Sequence, residues 1–185
     1  MTETVTEKPR RMLVLLLAVF FLPLAVSIAL YFSGWRPDGG TNHGELLQPL
    51  RQLPADARAL EGKWSLVYVG DGSCDEACRN TLHVAAQVHL LLNKDMDRVN
   101  RALLATAACC DRALLDSQHD GIKVIDLSEA GARDSLIALL PPGDHSHALF
   151  VVDPLLNVVM RFDTRENPRG LLDDMKKLLK LSHIG

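Results

Sequence analysis

The 185-residue chain has no surplus of either charge: 20 Lys and Arg stand against 23 Asp and Glu, a formal net charge of −3 with histidine neutral. Neutralising the phosphates of a nucleic acid needs a basic excess. Here the basic residues are scattered and aromatics make up only 5% of the chain, so no nucleic acid is expected as a partner. Cysteine is also scarce, and four in a chain of this length are too few for a disulfide scaffold. No Cys-x-x-Cys pair is followed by a second pair or by closely spaced histidines, which argues against a structural zinc site. Internal repeats and low-complexity tracts are missing as well. The chemistry therefore has to rest on a few single residues.

What is present is concentrated hydrophobicity. Residues 12–32, MLVLLLAVFFLPLAVSIALYF, carry no charge, and as a helix such a run spans about 30 Å, the thickness of a bilayer's hydrocarbon core. Lys8, Arg10 and Arg11 precede it, whereas Arg36 on the far side is answered by Asp38. The positive-inside bias then keeps 1–11 as a cytoplasmic tail and puts the chain after the span outside. A cleaved signal peptide would have a shorter apolar region ending in small residues, but Tyr31, Phe32 and Trp35 occupy that zone. The reading is an uncleaved single-pass anchor.

Residues 33–62 contain Gly34, Pro37, Gly39, Gly40, Pro49 and Pro54, breakers that interrupt any period and suggest a tether with one short helix near 45–52. From residue 36 onward there are 17 basic and 21 acidic residues, a net of 17 − 21 = −4, so the outward part as a whole is not drawn to an anionic lipid surface.

The remaining stretch, 63–185, alternates in type. The runs 64–69 (WSLVYV), 102–108 and 122–127 read as buried strands. Between and after them, helices are expected over 75–93, 112–117 and 129–140, the first with Val84, Val88, Leu91 and Leu92 on one face. Two further strands, 148–152 (ALFVV) and 157–162 (NVVMRF), flank Asp153-Pro154-Leu155-Leu156 as a hairpin. The last helix is signalled by Asn167 as N-cap, Pro168 in the first position and lysines late. Parallel strands with helical crossovers, then a terminal hairpin and helix, define an α/β class in the thioredoxin-like order.

The chemically richest segment, Gly70-Asp71-Gly72-Ser73-Cys74-Asp75-Glu76-Ala77-Cys78, lies between the first strand and the first long helix of this part. Four residues apart on a first helical turn, Cys74 and Cys78 would place both sulfurs on one face, near a helix N-terminus that favours thiolate. Such a pair suits either a soft metal such as Cu(I) or a reversible disulfide in an oxidising compartment. A third ligand from an imidazole would allow both copper oxidation states. His83 and His89, six apart, fall on different faces of their helix, whereas His145 and His147 precede the ALFVV strand. In a thioredoxin-like sheet that loop lies beside the cysteine loop. Cys109 and Cys110 end a buried strand, where Cys is common as a small apolar residue, and are not expected to be the primary site.

The sequence resembles the Sco/SenC family, membrane-anchored thioredoxin-like proteins that help metallate the copper site of cytochrome c oxidase. Gly62-Lys63-Trp64-Ser65-Leu66-Val67-Tyr68, Cys74-x3-Cys78, and Asp144-His145-Ser146 followed by a strand and Asp153-Pro154 carry the likeness. The family's proline after each cysteine is replaced by Asp75 and Arg79, and its later acidic stretch by Ala107-Ala108-Cys109-Cys110-Asp111. The resemblance implies copper, Cu(I) or Cu(II), held by Cys74, Cys78 and His145, with His147 the alternative ligand. It further implies a cytochrome c oxidase subunit, or its copper-site cysteines, as partner, and a place in the inner (cytoplasmic) membrane of a bacterium with the C-terminal domain periplasmic. Such a protein is an assembly factor rather than a turnover enzyme. Two alternatives stand beside it: a membrane-tethered thiol:disulfide oxidoreductase using Cys74 and Cys78, and a non-catalytic scaffold of the same fold.

Overall fold

The computed structural model describes residues 7–33, 42–107, 115, 117 and 119–182. The chain forms two units, 1–40 and 41–185. In the first, α1 (Glu7–Ser33) is one continuous helix through Pro23. Its stretch Arg10–Ser33 is long and apolar enough to cross a membrane.

The second unit is built on one sheet, six-stranded among the described residues: β1 (Glu45–Gln52), β2 (Trp64–Gly70), β3 (Val99–Ala105), β4 (Lys123–Asp126), β5 (Ala148–Val152) and β6 (Asn157–Asp163). The order across the sheet is β1-β6-β5-β2-β3-β4. Strands β2, β3 and β4 are parallel neighbours, while β5 runs antiparallel to both β2 and β6, and β6 antiparallel to β1. The helices are α2 (Glu76–Leu91), α3 (Ala130–Leu139) and α4 (Pro168–Leu181). The thioredoxin-like order expected from the sequence is thus present.

The near-continuous apolar runs of β2, β3 and β5 follow from burial on both faces. Side chains alternate across a strand. Leu66, Tyr68, Leu103, Leu149 and Val151 share a core with Leu82, Ala85 and Val88 of α2 and Leu171, Met175 and Leu179 of α4. On the opposite face Val67, Ala102, Leu104, Phe150 and Val152 pack with Ala57 and Leu60 of a short 3-10 helix (Ala55–Leu60) and with Leu136 of α3. A fully buried Leu, Val or Phe contributes about 1.5–3 kcal/mol relative to exposure. These two layers therefore hold the sheet's strand ends at fixed positions, including the end that carries the cysteines. At the close of the chain Asn167 caps α4 by accepting from Arg169 N–H, with Pro168 in the first turn, as its sequence signals indicated.

The expectation for residues 45–52 fails. Residues 45–52 form not a short helix in a tether but β1, paired antiparallel to β6 through Glu45↔Arg161, Leu46↔Met160, Arg51↔Val158 and Gln52↔Asn157. With the 3-10 helix at Ala55–Leu60, much of the supposed tether belongs to the folded unit. Leu46, Leu47 and Leu50 have a spacing compatible with a helix, but Pro49 lacks the N–H that a helix interior requires. The edge of β6 also offers a row of backbone donors and acceptors that needs a partner. An edge strand exposed on both faces leaves no alternating pattern to read, and β1 is exposed nearly throughout.

Candidate functional site

The site lies where β2 ends, at the carboxyl ends of the parallel strands, the usual place for function in an open α/β sheet. Gly70 closes β2, and its carbonyl accepts from Thr106 N–H at 2.8 Å and Thr106 Oγ1 at 3.0 Å. A Cβ on Gly70 would come within 2.7 Å of the Tyr68 ring, so only glycine lets that ring lie against the strand end. The loop then turns through Gly72 at φ +85°, a conformation glycine adopts without steric cost. Asp71 Oδ1 accepts from both Ser73 N–H (2.9 Å) and Ser73 Oγ (2.7 Å). These bonds hold the Asp71 carboxyl below the usual carboxylate range.

Cys74 follows in the left-handed region, at φ +47°. It therefore stands ahead of the helix, not on its first turn as the spacing alone suggested. Asp75 is the N-cap of α2, its Oδ1 accepting from Cys78 N–H at 2.9 Å, and only Cys78 is helical. Arg79 Nη1 donates to the Cys74 carbonyl at 3.1 Å. Cys74 and Cys78 are joined by a disulfide, with Cα atoms 4.9 Å apart, and both are buried.

The loop ahead of β5 repeats the same local device. Asp144 Oδ1 accepts from Ser146 N–H at 2.9 Å and Ser146 Oγ donates to Asp144 Oδ2 at 2.8 Å. These two bonds hold the Asp144 carboxyl low. Between them stands His145, whose ring meets Phe150 edge-on at 5.5 Å. Burial, followed by the nearby Arg161 guanidinium, pushes the His145 imidazole toward its neutral form. Its Nδ1 is buried with no hydrogen-bond partner.

The two loops meet. Cys74, Cys78, His145, Tyr68, Asp71 and Asp75 line one pocket of about 220 Å³. His147 is not among its lining residues, and its carbonyl accepts from Thr164 N–H at 2.8 Å and Thr164 Oγ1 at 2.9 Å. Two threonines that sequence reasoning passed over tie the halves together: Thr81 of α2, fully buried, lies 3.4 Å from the Ser146 carbonyl and 3.2 Å from Thr164 Oγ1. The only signal available for Thr81 was its place one turn after Cys78. Tyr68 is also new. Burial, then the charges of Asp75, Asp71 and Asp144, pushes its phenol up to about 12, so it is a neutral hydrogen-bonding group at any physiological pH.

Away from the pocket, His83 Nε2 lies 2.9 Å from Gln87 Nε2 and His89 Nε2 lies 2.9 Å from the Val99 carbonyl. Cys109, Cys110 and most of the helix expected over 112–117 lie outside the described residues. Among the described residues no group of three or more His, Cys, Asp or Glu stands ready to hold a metal ion. In the disulfide form the two cysteines offer no thiolate. Once reduced, two soft sulfurs and an unpartnered buried imidazole nitrogen fit copper as bound cargo.

A sheet of this order, with a cysteine pair at the end of its first parallel strand, defines a thioredoxin-like protein. The family model described as transmembrane-like, thioredoxin-like, C-terminal domain matches residues 64–182, and the chain belongs to that family. Among solved structures it is similar to apo Sco1 of Thermus thermophilus, with 16% identity and a TM-score of 0.55, covering 76% of this chain and 99% of that one. It is likewise similar to copper-bound yeast Sco1 (18% identity, TM-score 0.53, 65% and 80% covered). Copper-bound ScoI of Bradyrhizobium japonicum is a third (19%, 0.51, 72% and 98%). The Sco likeness expected from the sequence is thus found, and at these identities it is a likeness of fold. No curated protein matches the chain.

Proposed function

We propose that this chain is a copper-handling assembly factor for a respiratory cytochrome c oxidase. It is anchored in the inner membrane of a bacterium by α1, with the unit 41–185 in the periplasm. The observation that carries the reading is the one pocket lined by Cys74, Cys78 and His145, the His145 Nδ1 being buried without a hydrogen bond. The disulfide is the unloaded form. Opening it takes two electrons and two protons from a dithiol, which leaves as its own disulfide, and gives two thiols whose protons are released as the metal is taken up. Cys74 and Cys78 then hold Cu(I), and His145 adds the nitrogen that Cu(II) prefers. The acidic side chains of Asp71, Asp75 and Asp144 surround Tyr68 and the pocket with negative potential, which attracts a cation.

The closed disulfide also favours a second reading, a thiol:disulfide oxidoreductase acting on the copper-site cysteines of the oxidase. One titration separates the two. Reduced chain titrated with Cu(II) is expected to develop sulfur-to-copper charge-transfer absorption. That band is lost in Cys74→Ser and Cys78→Ser, altered in His145→Ala, and retained when only Cys109 and Cys110 are replaced. Absence of the band, together with no copper uptake against a weak competitor, refutes the copper reading and leaves thiol exchange.

A further inference from the structure

The end of the sheet opposite the cysteines carries a second feature. Strands β2 and β3 run in register from Trp64↔Val99 to Gly70↔Ala105, which separates their two ends by about 20 Å at roughly 3.3 Å per residue. At the far end a 3-10 helix (Asn93–Arg98) leads into Val99. Together with the last turns of α4 it bounds an open groove of about 590 Å³. Lys94, Arg98, Lys176 and Lys180 line this groove, with Leu179 as an apolar wall and Asp95 the one carboxylate among the lining residues.

Asp95 does not neutralise the lysines. Its Oδ1 pairs with Arg98 Nη1 at 3.2 Å. Arg98 also donates to the Leu179 carbonyl at 3.1 Å and the Ser182 carbonyl at 2.8 Å. It is thus a structural tie that fixes the 3-10 helix against the end of α4. Lys94, Lys176 and Lys180 have no ion pair or hydrogen bond among the described residues.

Stability alone does not account for this arrangement. The helix macrodipole favours a cation in the last turn of α4, which explains Lys180. It does not explain Lys94, which is on another element. Lys176 and Lys180 are four apart on one helix, where like charges repel. The groove is moreover a local inversion of sign in a part of the chain that carries 17 basic and 21 acidic residues.

We propose that this groove binds a phosphate-bearing anion, with Lys94, Lys176 and Lys180 as point charges on the phosphate oxygens and Arg98 positioning the walls. Lysine binds phosphate in this way, as a mobile ammonium rather than a fixed fork. The shared chemistry is a phosphate mono- or diester. Its sources are the headgroup of an anionic phospholipid, abundant around a chain anchored in a bilayer, and soluble phosphate.

The test is isothermal titration of the full chain in non-ionic detergent. One arm adds inorganic phosphate or pyrophosphate. The other compares micelles doped with phosphatidylglycerol against micelles doped with phosphatidylcholine. Saturable binding that weakens with added salt is expected. The triple variant Lys94→Gln, Lys176→Gln, Lys180→Gln should lose at least tenfold in affinity. The charge-matched triple Arg58→Gln, Arg133→Gln, Arg169→Gln, away from the groove, should change it less than twofold, with both variants giving the circular dichroism of the parent. Binding of phosphatidylglycerol alone assigns the groove to lipid, and binding of phosphate or pyrophosphate alone assigns it to a soluble ligand. No binding in either arm, or equal loss in the two triples, overturns the proposal.

Discussion

Asp75 stands between the two halves of the cysteine loop, and replacing it tests how that loop is built. Its Oδ1 accepts from Cys78 N–H at 2.9 Å, so Asp75→Ala removes an N-cap hydrogen bond, a loss of about 1 kcal/mol. The negative charge at the N-terminus of α2 is lost as well, a further 0.3–1 kcal/mol or so. Asp75→Asn keeps the cap and loses only the charge term. The alanine variant should therefore unfold with roughly 1.5 kcal/mol less stability and the asparagine variant with roughly 0.5. In a unit of this size these losses lower Tm by about 5 °C and about 2 °C. Thermal and urea unfolding of the full chain in detergent reads both. A second readout is independent of stability. Asp75 is, after burial, the largest cause of the raised Tyr68 phenol, so either variant should bring its titration down from about 12. Tyr31 and Tyr68 are the only two tyrosines, and 13C-tyrosine NMR in a Tyr31→Phe background resolves the shift. Equal destabilisation by the two variants would show that the hydrogen bond contributes nothing. An unmoved Tyr68 titration would remove Asp75 from the potential around the pocket.

Two further outcomes follow from charge. Arg165 holds the Asp163 carboxyl at about 2, below its unfolded value near 3.9. A lowered carboxylate stabilises the fold above the unfolded value, and that stability is lost as pH falls through the folded one. Arg165→Gln should therefore lower stability at pH 7 and flatten the acid limb of the stability curve between about pH 4 and pH 2; an unchanged limb refutes the pairing. For topology, protease added to intact spheroplasts should remove the C-terminal unit, because the uncharged run 12–32 is preceded by Lys8, Arg10 and Arg11. Full protection of that unit would reverse the orientation and withdraw the oxidising compartment.

The sequence by itself determined the elements whose signals are local. The strand WSLVYV, the hairpin around Asp153-Pro154 and the capped helix after Asn167 are legible because burial on both faces, turn chemistry and end-capping act within a few residues of chain. Cys74, Cys78 and His145 were likewise visible as candidates from residue type and place in the order of elements. Tertiary structure decided the rest. Strand β1 exists because β6 offers an edge more than 100 residues later in the chain, and such pairing leaves no period in the partner's sequence. Cys74 lies outside the helix because Gly72, the Asp71–Ser73 bonds and the Asp75 cap turn the backbone there. That His145 and not His147 lines the pocket depends on a loop held from a distance. Thr164 takes the His147 carbonyl, Thr81 approaches that of Ser146 and the His145 ring rests on Phe150. A two-residue shift in a loop changes nothing that hydrophobic periodicity records, so contacts between residues far apart in the chain have to settle it.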